Sequence, residues 1–177
     1  VIYLDFNGEK NVTYEGPIAV RNIDINPFYA PGALSGTEHL IISDLLSSLN
    51  QVFAGIDVVF TATEPYSSTL YSTVYIGGIE APVVEFASYL GLAEQIDIDN
   101  RNRTDSAFVF SDALFTGDNT DSLFEVTLHE VGHLLGYAHR QDDVVSGMID
   151  LDHLAYKPVT HEWIVGEAGA LYRALFG

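Results

Sequence analysis

The stretch His129-Glu130-Val131-Gly132-His133-Leu134-Leu135-Gly136-Tyr137-Ala138-His139 organises the chain, and Met148 follows nine residues later. Residues four apart on an α-helix sit about one turn along the same face. His129 and His133 can therefore turn both imidazoles toward one ion. Glu130, one position on, stands beside the pair, where it reaches a water on the ion more easily than the ion itself. The next residue in line is Tyr137, so a third ligand requires the helix to end first. Gly136 supplies the stop, because a C′ glycine takes the left-handed conformation without a Cβ penalty. His139 then returns from a new direction. Three nitrogen ligands with a fourth position left open are the pattern of a catalytic zinc site. The expected metal ligands are His129, His133 and His139, holding one Zn2+, with Glu130 as general base for a zinc-bound water.

Working outward, Leu123, Phe124, Val126, Leu128, Val131, Leu134 and Leu135 make this helix apolar on most sides, as expected of a buried helix. Asp121 or Ser122 can cap it, with Glu125 three residues after Ser122 as in a capping box. Residues 1–7 alternate and read as a strand, and turn formers make 9–36 a long irregular connection with a short strand near 18–23. Apolar residues at helical spacing predict an amphipathic helix over 38–53, capped by Thr37. Strands are expected over 56–63, 69–76 and 106–110, with loop-rich segments at 79–105 and 111–120. Thr160 can cap a last helix over 161–175, which Trp163 would anchor. Strands alternating with helices imply an α+β sandwich with a mixed sheet and helices packed on it.

The 177 residues suit one domain, 1–177, and the 47% apolar content is that of a globular chain. No apolar run approaches the roughly 20 residues of a membrane span. The start lacks a basic segment followed by an apolar one, so the chain reads as a mature or excised domain. Seven basic against 25 acidic residues give a net charge of −18, which argues against nucleic acid and anionic membranes as partners. The absence of cysteine excludes disulfides, thiolate ligands and a cysteine nucleophile.

At these residues the chain resembles the metzincin clan of zinc endopeptidases, whose extended motif is HExxHxxGxxH followed by a methionine in a tight turn beneath the metal. Val145-Ser146-Gly147-Met148-Ile149 resembles that turn, with Met148 as its methionine. The resemblance implies a twisted, mostly parallel sheet with two long helices in an N-terminal subdomain (1–136). It also implies a small C-terminal subdomain (137–177) ending in a helix, with the cleft between them. The short cysteine-free link from His139 to Met148 is most similar to matrixins, of a divergent, bacterial type. Departures are visible. Only His39 precedes His129, so the histidines of a second, structural zinc are missing; Asp150 stands where some relatives place a tyrosine ligand; Ile149-Asp150 does not match the matrixin pocket wall. The resemblance further implies that Ala107, Phe108, Val109 and Phe110 form the edge strand above the cleft, able to bind an extended peptide as an added strand.

Asp97, Asp99, Asn102 and Asp105 place many oxygens in one short segment and are candidate Ca2+ ligands, although Arg101 and Arg103 intrude and a solvated loop is the plainer reading. Residues 117–121 are a weaker case of the same kind. His153 and His161 read as surface or structural residues, and Tyr156 as pocket lining or packing. The expected protein is thus a secreted or extracellular monomeric zinc endopeptidase acting on protein or peptide substrates, within a larger multidomain chain or alone. Two alternatives stand beside it: a non-catalytic zinc-containing binding or adhesion module of a larger surface protein, and a zinc hydrolase of small molecules.

Overall fold

The computed structural model describes residues 1–79, 89–114 and 123–139, and beyond them the backbone strands at 155–156 and 164–165. β1 (Ile2–Asp5) lies in the middle of a parallel array, flanked by β4 (Phe60–Thr61) and β5 (Ser72–Gly77). β7 (Ser106–Phe110) continues the array beside β5, also parallel. β6 (Gly91–Ala93) then runs antiparallel to β7, and β9 (Ala155–Tyr156) antiparallel to β6. The order is β4-β1-β5-β7-β6-β9, a mixed and mostly parallel sheet. Two helices, α1 (Glu38–Val52) and α3 (Leu123–Leu134), and a single turn α2 (Ser111–Leu114) complete the α+β architecture.

Period-2 alternation decides which side chains meet which layer. Ile2 and Leu4 of β1, Val74 and Ile76 of β5, and Ala107 and Val109 of β7 point to the helix side. There they pack with Leu45, Leu49 and Val52 of α1 and with Val126, Val131 and Leu134 of α3. Phe108 and Phe110 point to the other face, into a second cluster with Leu92 and Ile96. That face is covered by an antiparallel hairpin of β2 (Glu9–Tyr14) and β3 (Val20–Ile25), whose Val12, Tyr14, Ile23 and Ile25 are buried. Strands buried on both faces need near-continuous apolar sequence, which the Ser106–Phe110 run supplies.

Five expectations are corrected. Residues 9–36 are not one irregular connection, because the hairpin occupies 9–25. Its alternation is hidden by register shifts at left-handed Asn11 (φ 58°) and Asn22 (φ 58°). Ala107, Phe108, Val109 and Phe110 are not an edge strand: β7 is paired on both sides, by β5 and by β6, so no peptide can add there. β6 lies within the segment expected to be loop. Ile164–Val165, expected to be helical, form strand β10, antiparallel to β8 (Ala138–His139). The run of one aromatic and two β-branched residues, Trp163-Ile164-Val165, ahead of Gly166 favours that choice. Of the expected 56–63 strand only Phe60–Thr61 pairs, opposite Ile2 and Tyr3.

Candidate metal centre

α3 carries the centre, and its sequence explains its position. Leu123 and every residue from Val126 to Leu134 are buried, so the helix lies within the core and not on it. His129 is 5% exposed, and Glu130 and His133 are at 0%. Polar side chains at such depth require a partner or a ligand.

The two imidazoles meet as the four-residue spacing requires. Their ring centroids are 4.7 Å apart with planes at 88°, and the two Nε2 atoms lie 3.1 Å apart. His133 Nδ1 lies 2.8 Å from the carbonyl oxygen of Tyr137. A carbonyl can only accept, so Nδ1 carries the proton and donates it, and in the neutral ring the Nε2 lone pair faces His129. This arrangement fits zinc. Two nitrogens bound at about 2.0–2.1 Å to one tetrahedral ion would lie about 3.3 Å apart, close to the spacing seen. Tyr137, which sequence alone marked only as the residue denying a third histidine in line, thus fixes the tautomer of His133 through its backbone.

The helix ends as a Schellman motif. Tyr137 N–H donates to the Gly132 carbonyl at 2.9 Å and Gly136 N–H to that of His133 at 3.0 Å. Gly136 has φ +90°, and a Cβ there would also stand 2.7 Å from the carbonyl oxygen of Asp97. The stop therefore needs glycine twice, for conformation and for contact. Three residues on, His139 lies in β8, paired in register with Ile164. The side chain of His139 lies outside the described residues, as do Met148, Asp150, His153, His161, Trp163 and residues 117–121; of Tyr156 only the backbone is described, in β9.

Glu130 sits against β6. A Cβ added at Gly91 would run into Glu130 Oε1 and crowd its Cγ and Val126. Gly91 is therefore the floor on which the carboxylate rests, a role with no mark in the sequence beyond an isolated glycine in an apolar run.

The calcium candidates do something else. Asp97 N–H donates to the His133 carbonyl at 2.9 Å, and Asp97 Oδ2 accepts from Asn102 N–H at 2.8 Å. Asp99 (φ 67°) and Asn100 (φ 48°) make the tight left-handed turn that asparagine and aspartate tolerate. Asp99 points outward and pairs with Arg101 at 2.8 Å. Asp105 is buried, accepts from Gln95 Nε2 at 3.4 Å through Oδ2, and has no hydrogen-bond partner at Oδ1 among the described residues. Burial pushes its carboxyl up to about 6, with the nearby Asp97 charge adding to the shift. The loop is thus a buttress for the end of α3, and Asp97, Asp99, Asn102 and Asp105 are not gathered around one point. Among the described residues no set of three or more histidine and carboxylate side chains forms a metal-binding cluster.

Compared with models of known protein families, with curated proteins and with solved structures, the chain gives no match.

Proposed function

We propose that the chain is a zinc-dependent endopeptidase of the metzincin type, hydrolysing peptide bonds of extended protein substrates. The observation that carries this reading is the convergence of the His129 and His133 Nε2 atoms, 3.1 Å apart, on a buried helix that also holds the fully buried Glu130. His129, His133 and, after the Gly136 turn, His139 would hold the ion. When bound, zinc supplies Lewis acidity, lowering the pKa of water towards about 7 and polarising a scissile carbonyl. The chain's own residues do the rest. Glu130 accepts the proton of the attacking water and delivers it to the departing amine nitrogen. Gly91 leaves that carboxylate its place against β6, and the Tyr137 carbonyl keeps His133 in the tautomer that offers a lone pair.

The spacing HExxHxxGxxH supports a peptide substrate over a small molecule, and Glu130 supports catalysis over a purely structural metal, which has no use for a base. The net charge of −18 accords with a heavily solvated protein, and we place its action outside the cell. Glu130→Ala tests the reading: it should retain zinc yet lose about 10²–10⁴-fold of the cleavage of a denatured protein. Cleavage at the native rate in that variant would remove Glu130 from the mechanism.

A further inference from the structure

β6 is only three residues long, yet it forms the floor beneath Glu130. β9 pairs with its Gly91 and Leu92, and the hairpin holds its Ala93 end. Residues 90 and 94 bond to β7, through Phe110 N–H to Leu90 O at 2.9 Å and Glu94 N–H to Ser106 O at 3.0 Å. Residues 91 and 93 are therefore turned away from β7, since antiparallel pairs alternate between bonded and non-bonded positions. The outward carbonyl of Ala93 accepts a hydrogen bond of 3.0 Å from the Tyr14 hydroxyl, 79 residues away in sequence. The next residue repeats the attachment. Glu15 N–H donates to Glu94 Oε1 at 2.8 Å, while Glu94 Oε2 accepts from Ser106 N–H at 2.7 Å. The end of β2 is thus bonded twice to the end of β6.

Tyr14 is built in firmly. It is fully buried, its ring meets Phe108 edge-on with centroids 5.9 Å apart, and a side chain at Gly16 would collide with its hydroxyl. Burial, reinforced by the negative charge of Glu130, raises the phenol far above its ordinary range, so it stays a donor. The hairpin covers the sheet face opposite α3, and the Tyr14 hydroxyl ties it to β6, the strand against which Glu130 sits.

We propose that Tyr14 is a positioning residue for Glu130: its hydroxyl anchors Ala93, and the anchored β6 holds Gly91 against the Glu130 carboxylate. The inference rests on the endopeptidase reading for its kinetic consequence but not for its structural one. Tyr14→Phe removes the hydroxyl and keeps the ring, and Val12→Ala weakens the same buried hairpin cluster while leaving the Tyr14–Ala93 hydrogen bond its partners. In the full chain loaded with zinc, Tyr14→Phe should lower kcat roughly tenfold with KM unchanged and one zinc per chain retained. Val12→Ala, compared at a matching fall in Tm, should keep its kcat. Amide hydrogen exchange of β6 should quicken in Tyr14→Phe and not in Val12→Ala. Equal kcat losses at equal Tm, or a Tyr14→Phe variant as active as the parent, would reduce Tyr14 to a core residue. If the parent itself cleaves no peptide, the endopeptidase reading fails. Exchange at β6 then decides the anchor alone, and unchanged protection in Tyr14→Phe would overturn it.

Discussion

Gly136 shows how tightly single positions are fixed around the centre. Alanine there would have to adopt φ +90° and press its Cβ on the Asp97 carbonyl. The conformational part alone costs about 1–2 kcal/mol. Gly136→Ala should therefore lower the unfolding free energy by at least that much in denaturant titration, and weaken zinc binding by displacing His139; wild-type stability would refute the account of the helix end. The same scale shows what could be read without coordinates. The convergence of His129 and His133 and the stop at Gly136 were legible because helical spacing and the glycine stop act within a few residues of one another. Gly91, Tyr14 and Asp97 were not. They reach the centre from other strands and loops, and nothing local in their sequence says what they face.

At the scale of elements, the two long helices and the central strands were legible because their apolar pattern is unbroken. α1 ends within one residue of the expected 38–53. The hairpin and β6 were lost for different physical reasons: bulges at Asn11 and Asn22 break the period of one, and three residues are too few to show any period in the other. The 97–105 loop, whose composition offered both a calcium site and a plain polar loop, folds as a turn in which Asp97 accepts from Asn102. Asp105 in that loop gives a pH test. Its folded carboxyl lies at about 6 against an ordinary 3.8, so the native state holds the proton more tightly than the unfolded chain. The group therefore favours folding when protonated, and its contribution is lost as pH rises from about 4 to about 6. Asp105→Asn should flatten that part of the stability–pH curve, with a change on the order of 1 kcal/mol between pH 4.5 and 7.5 by denaturant midpoint. An unaltered slope would show that Asp105 titrates as an ordinary carboxyl.

At the scale of the molecule, the sheet serves as a frame between two dissimilar covers. On one face α3 carries His129, Glu130 and His133, and the hairpin on the other ties down β6, against which Glu130 sits. A site built inside the core ties metal binding to folding, because an ion held only by the native state stabilises it by RT ln(1 + [L]/Kd). Zinc in hundredfold excess over its Kd should then add about 2.7 kcal/mol to wild-type stability and raise Tm. The gain should vanish in His133→Ala; an equal rise in both proteins would mean that zinc binds elsewhere.

The central claim is that this zinc centre cuts peptide bonds, and mass spectrometry of a proteome-derived peptide mixture incubated with the zinc-loaded chain tests it most directly. New peptide termini should accumulate with the wild-type chain, and disappear when a chelator is present or when Glu130 is replaced by alanine. A zinc-loaded wild-type chain that releases no new termini, or a Glu130→Ala chain that releases the same ones, would contradict it.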